Sequence, residues 1–166
     1  VEGALKQGFT KEHAEEIFEI MIPFAGYGFN KSHAAAYSVV AYRTGYLKAH
    51  FPAEFIAANL TNEITSTDKV PQYIAEGRAM GLAIDPPDVN RSDKVFDVVD
   101  GRIVYGLMGI KGLGEGAAEE IVEKRKKDGP YKSFMDFLER VDIRSVGKKP
   151  IELLIKTGAF DNLGQS

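Results

Sequence analysis

The stretch IKGLGEGAAEEIVEKRKK (residues 110–127) decides how the rest of the chain is read. Gly112 and Gly114 flank Leu113, and Gly116 and two alanines follow before the charged residues begin. Glycine at the two flanking positions lets the backbone turn so tightly that its amides can meet an anion with no side chain in between. Leu113 anchors such a turn in a core, and Lys111 places a positive charge beside it. The spacing predicts a tight hairpin opening a helix through about residue 127.

An apolar residue, Lys, Gly, apolar residue, Gly and a small-residue helix start together make the helix-hairpin-helix form. Such a device holds the phosphates of a nucleic-acid backbone and ignores the bases. Lys111, Gly112, Leu113, Gly114 and Gly116 are the candidate contacts. The competing reading is a plain helical hairpin that serves packing or a protein contact; the closeness of the spacing favours phosphate. A second glycine-marked stretch, Ser145-Val146-Gly147-Lys148-Lys149, is a weaker copy that lacks the full Gly-apolar-Gly, with Lys148 and Lys149 as its candidate contacts. The run Lys124 to Lys127 sits where a helix ends, and cations are favoured there without any ligand.

Outward from the hairpin the chain is mostly helical. After it, DGPY (128–131) reads as a turn, SFMDFLERV (133–141) as a short helix, and 148–157 as another, ended by Gly158. Before it, KVFDVVDGRIVYGL (94–107) alternates around Asp100-Gly101, the strongest short hairpin signal available. IDPPDVN (84–90) must be extended, because its prolines are adjacent. Further back, Thr10 is placed to cap a helix over 11–22 that Pro23 stops. Ser32 is placed to cap one over about 33–48, Pro52 suits the first turn of a third through residue 64, and Asp68 caps a fourth that ends near Met80-Gly81. The expected architecture is mainly α: a helical segment (1–90), an extended segment with one small β-hairpin (91–107), and a tandem helix-hairpin-helix segment (108–166).

Composition narrows the function classes. The 166 residues are 44% hydrophobic and 27% charged, with a formal net charge of -3, the balance of a soluble globular protein. With no cysteine, disulfides and thiolate metal sites are excluded, and His13, His33 and His50 are too scattered for a zinc pattern. No apolar run is long enough for a bilayer, so no membrane partner is expected; the absence of cysteine points to a cytoplasmic location. The first residue is Val1, which suggests a piece of something longer. No paired or triple carboxylates stand in a setting that would bind two metals, so no catalytic residue is assigned.

Charge is unevenly distributed. No acid occurs between Glu19 and Glu54, although the chain carries 24; the same window holds Lys31, His33, Arg43, Lys48 and His50. Either a buried alanine-rich helix excludes carboxylates, or something anionic lies against it. The stretch GYGFNKSHAAAY (26–37) opens this window. It is not a Walker A loop, because the required glycines fall on Ala25 and Asn30 and the preceding element is a helix. The amides at the start of the following helix still favour an anion, with Lys31, Ser32 and His33 at that end and Arg43 further along. His33, Tyr37, Val40 and Thr44 follow helical spacing on one face. The plain alternative is a capped helix whose histidine satisfies a carbonyl.

Three stretches in order, GFNKSHAAAYSVVAYRTGYLKAHFPAEFIAANLT (28–61), IVYGLMGIKGLGEGAAEEIVEKR (103–125) and LLIKTGAFDNLG (153–164), closely resemble the C-family replicative DNA polymerases, the bacterial DNA polymerase III alpha subunits. The resemblance covers essentially the whole chain. It implies that the N-terminal half is the end of the fingers region, where Asn30, Lys31, Ser32 and His33 line the nucleotide side of the cleft, with Arg43 as a further candidate. It implies that the hairpins grip duplex behind the primer end. The implied partners are primer-template DNA, an incoming deoxynucleoside triphosphate and the remainder of the polymerase chain. The sliding clamp and other replisome subunits would be met through regions outside this sequence. The palm with its metal-binding aspartates is expected before Val1 and the clamp-binding peptide after Ser166. The magnesium of the complete polymerase therefore has no ligands here, and the segment alone is expected to be inactive. A stand-alone DNA-binding module and a protein-interaction scaffold remain the other readings.

Overall fold

A computed structural model of the chain describes residues 1–26 and 31–164. It is mainly helical with one small sheet. Its contacts divide it into two units, Val1–Tyr46 and Leu47–Ser166.

The first unit holds α1 (Glu2–Lys6), α2 (Lys11–Ala25) and most of α3 (Lys31–His50). Thr10 is extended and its side-chain oxygen accepts from the His13 amide at 3.3 Å, so the expected cap is present. Pro23 does not stop α2 as expected; the helix continues through it to Ala25. The ring removes the hydrogen bond to the Glu19 carbonyl, and α2 ends less than one turn later. Ser32 is not the cap of α3 either. Lys31 is already helical, whereas a capping residue needs non-helical backbone angles; the position ahead of it lies outside the described residues. Ala14 is the one buried residue of this unit among those described, and α3 buries none. Among the described residues, burial of α3 therefore does not account for the acid-free window.

The second unit has a core of its own. Pro52 opens α4 (Pro52–Asn62) at its first position, as expected. α5 (Lys69–Ala79) follows, but Asp68 makes no capping bond; Ser66 Oγ accepts from the Lys69 amide at 3.2 Å instead. Asp68 has helical backbone angles, which turn its carboxylate away from the amides it would cap. The other end is a Schellman close: Gly81 N donates to Arg78 O, and Leu82 N to Gly77 O.

Asp100 and Gly101 both have positive φ, 52° and 72°, and join β2 (Asp97–Val99) to β3 (Arg102–Val104) as an antiparallel pair. That is the turn the Asp-Gly pair predicts. The hairpin is not isolated. β1 (Ile84–Asp85) pairs parallel with β3, giving the order β1-β3-β2. Arg102 and Arg91 close on the Asp85 carboxylate, Arg91 at 2.9 Å, and hold its carboxyl below the usual carboxylate range. Sequence pattern alone gives 84–90 as extended; the strand partner comes from the fold.

A 3-10 turn, Leu107–Gly109, leads into α6 (Glu115–Asp128), α7 (Phe134–Arg140), α8 (Ile143–Val146) and α9 (Lys148–Lys156). One apolar cluster joins α4, α5 and the sheet around Ile56, Leu60, Phe96 and Ile103; a second joins the C-terminal helices around Ile121, Phe137 and Leu154. Tyr105 packs against both, so the hairpin region and the sheet form one continuous interior. Arg140 fastens the turn between α6 and α7. It stacks 4.4 Å over the Tyr131 ring and donates to the carbonyls of Lys124, Gly129 and Pro130. Tyr131 is buried, donates its hydroxyl to Ile121 O, and has its phenol pushed up to about 12 by burial.

Candidate nucleic-acid interface

The hairpin at residues 110–116 is built from both ends. Ile110 N donates to Leu107 O at 3.1 Å and Leu113 N to Ile110 O at 2.9 Å, closing two successive turns. Gly112 has φ +94°, the left-handed region that side chains rarely adopt. Leu113 is 5% exposed and sits in the C-terminal cluster. Gly114 is extended and begins α6, where Ala118 N donates to Gly114 O.

What this leaves open is the chemistry. Among the described residues, the amides of Gly112, Gly114, Glu115 and Gly116 donate to no carbonyl, and all four residues are exposed. Lys111 is exposed beside them and forms no ion pair among the described residues. The unpartnered amides of Glu115 and Gly116 lie in the first turn of a fourteen-residue helix, at the positive end of its dipole, and those of Gly112 and Gly114 belong to the turn just ahead of it. The arrangement suits an oxyanion. Glu115, at the first helical position, is the one carboxylate set against that use.

The weaker copy repeats the pattern more closely than its glycines suggest. Residues 143–149, I-R-S-V-G-K-K, align with residues 110–116, I-K-G-L-G-E-G, in the first isoleucine, the basic residue, the apolar anchor and the glycine after it, and differ at 145, 148 and 149. Val146, Ile151 and Leu154 are buried where Leu113, Ala118 and Ile121 are buried in the first. Arg144 thereby stands where Lys111 does, and the sequence reading, centred on the glycine, passed over it. The signal was available: aligning the two stretches on their apolar anchors finds it. Lys148 and Lys149 open α9 and are exposed.

The turns themselves differ. In the second hairpin the positive φ, +83°, falls on Gly147, and residues 143–146 are helical. Ser145 N and Val146 N both donate to Asp142 O, Gly147 N donates to Ile143 O, and the Asp142 carboxylate takes the Arg144 amide at 2.9 Å. Its turn amides are consumed internally. Gly112 also lies against α9, where a Cβ built on it would stand 3.1 Å from Leu153 Cδ1.

The other candidate set lies in the first unit. Lys31, Ser32 and His33 share the first turn of α3, and the His33 and Tyr37 rings are 4.2 Å apart, one turn on. Arg43 is ten residues past His33, about 15 Å along the helix axis, so the helix start and Arg43 cannot meet the same phosphate. Asn30 lies outside the described residues. Among the described residues no three His, Asp or Glu side chains group as metal ligands. None of the described helices is long and apolar enough to cross a membrane.

The helix-hairpin-helix motif model matches residues 81–166, just over half of the chain. DNA polymerase III subunit alpha of Treponema pallidum is 61% identical over 163 residues, 98% of this chain. Those of Borreliella burgdorferi and Thermus aquaticus are 54% and 49% identical over 164 residues each, 99% of this chain. The chain spans about 14% of the length of the first two and 13% of the third.

Proposed function

The chain belongs to the helix-hairpin-helix family, and from that premise we propose that it is the segment of a replicative DNA polymerase alpha subunit that grips the duplex backbone without reading sequence. The observation that carries this reading is the set of unpartnered amides at Gly112, Gly114, Glu115 and Gly116 beside Lys111. A phosphate placed there gains charge-assisted hydrogen bonds from a backbone fixed by the buried Leu113, so little is lost in ordering it. Lys148, Lys149 and Arg144 give the second hairpin charge, but only the two amides at the start of α9 are open there and those of its turn are bonded, so it supports the grip more than it clasps. Contacts made to phosphate oxygens carry no base information, so affinity is indifferent to sequence.

The test is a salt titration of duplex binding by the 166-residue chain. A steep fall in log K with log salt, about 0.9 per phosphate neutralised, and equal affinity for duplexes of unrelated sequence are expected. A flat salt dependence would leave a packing or protein-contact role for the hairpins.

A second site is proposed at the start of α3. The match to DNA polymerase III subunit alpha covers this region, and Lys31, Ser32 and His33 gather at a helix N-terminus. There they receive the triphosphate tail of an incoming nucleotide, with Asn30 ahead of them and Arg43 reserved for a contact further along the strand. The metal of the complete polymerase, its palm and its clamp contacts belong to segments outside this sequence. In the complete polymerase, Lys31→Ala raises the nucleotide KM several-fold while DNA affinity holds; an unchanged KM refutes the assignment.

A further inference from the structure

A cleft of about 360 Å³ opens immediately beside the first hairpin. One wall is the hairpin itself, residues 109–113. The other is the loop between α4 and α5 with the first turn of α5: Thr65, Ser66, Thr67, Val70 and Pro71. Met108 and Tyr105 lie between them. The interior is mainly apolar and the rim carries hydroxyls.

Size and lining exclude the obvious occupant. The cleft, about 360 Å³, is at the low end of small-molecule sites, about 300–1,000 Å³, far less than the room that stacked base pairs and two backbones require. A paired strand cannot enter. The contents of the rim point to something smaller and amphipathic. Ser66 Oγ is committed to the Lys69 amide, but the hydroxyls of Thr65 and Thr67 are exposed and bond to nothing among the described residues. Tyr105 has one ring face against Phe96, at 4.6 Å between centroids, and its hydroxyl on Gly109 O, so it is fixed as a wall rather than mobile. Lys111 and Gly112 belong both to the cleft and to the phosphate-binding turn.

We propose that this cleft receives one unpaired nucleotide of the strand whose phosphate the first hairpin holds. The base enters against Val70, Met108 and Tyr105, its edge meets Thr65 and Thr67, and its phosphate stays on the Lys111-Gly112 turn. Apolar contact with a base face tolerates any base, and hydroxyls both donate and accept, so the site is not selective for one of them. The proposal rests on the hairpin reading above and adds to it a preference for an unpaired residue next to the gripped duplex.

Three duplexes that differ only at one end test this by fluorescence anisotropy with the 166-residue chain. One is blunt, one carries a single-nucleotide overhang, in either polarity, and one carries an abasic overhang of equal charge. The base-bearing overhang should bind about fivefold tighter than the blunt end, within the range of one base contact, and the abasic overhang should bind like the blunt one. Thr67→Phe, at an exposed position, fills the cleft and should abolish the gain while leaving blunt-end affinity unchanged. Thr65→Ala should reduce the gain in a chain whose helical circular dichroism is unaltered. Equal affinity for all three ends, or a gain that the abasic overhang retains in full, overturns the proposal. So does an equal loss for all three ends in Thr67→Phe. Lys111→Ala tests the hairpin separately: if it leaves blunt-end binding untouched, the phosphate grip itself is wrong, whatever the overhang does.

Discussion

The two hairpins share an apolar skeleton and diverge in their backbone. Leu113, Ala118 and Ile121 are answered by Val146, Ile151 and Leu154, so each helix is seated in the core in the same way. The residue ahead of the turn is not: Ile110 is 5% exposed and Ile143 is 49% exposed. In the first hairpin, glycine at 112 takes the left-handed angle and leaves its neighbours' amides open. In the second, serine at 145 keeps a helical turn; Ser145 N closes on Asp142 O and Gly147 N on Ile143 O, while the Lys148 and Lys149 amides at the start of α9 donate to no carbonyl among the described residues. On the proposed reading the first hairpin clasps and the second is a charged support. The same packing carries two different backbones, which part at two positions: 112 against 145, and 114 against 147.

The largest expected effect comes from forcing the first turn to resemble the second. Gly112→Val meets both a positive φ and Leu153 at 3.1 Å, so it should cost about 1–3 kcal/mol of stability and weaken duplex binding more than tenfold. Thermal melting and anisotropy measure the two parts. A variant that keeps full affinity would show that the glycine turn is only structural.

Next, paired alanine substitutions grade the charges. Lys111→Ala should weaken binding about fivefold and lower the salt slope by about 1, uniformly across sequences. Arg144→Ala should cost no more than about twofold, because the turn amides beside it are already bonded. Equal losses from the two would mean that both hairpins clasp phosphate, and the contrast drawn above would fall. The smallest effect belongs to Glu115→Gln. Removing the carboxylate beside the open amides should tighten binding by less than about twofold at low salt, and the gain should vanish as salt rises.

The two units make a second contrast. Residues 47–164 bury two apolar clusters. In the first unit Ile17, Phe18, Met21 and Phe24 on α2, and Tyr37 and Tyr42 on α3, stay exposed. The helices of that region were legible, the positions of their apolar residues were legible, but what covers them was not. Periodicity marks an apolar face without saying which surface it meets.

Much of the candidate site could be read directly. The positive φ at Gly112, the anchor at Leu113, the start of α6 and the Asp100-Gly101 turn each depend on residues within a few positions of one another. Arg144 escaped because it carries no glycine beside it, although its apolar frame repeats that of Lys111. The cleft escaped for a stronger reason: its walls, Thr65 to Pro71 and Met108 to Leu113, are about forty residues apart, and no spacing rule joins them.

The chain by itself therefore determined its turns, most helix boundaries and the exposed glycine turn of 110–116, since these follow from local backbone sterics and capping. The fold decided the rest. Pairing of β1 with β3, two arginines on Asp85, Ser66 in place of Asp68 as a cap, a helix continued through Pro23, and the closing of the second hairpin's amides on Asp142 all depend on which groups the packed chain brings within reach. Local sterics offer a residue its choices, and only the surrounding contacts select among them.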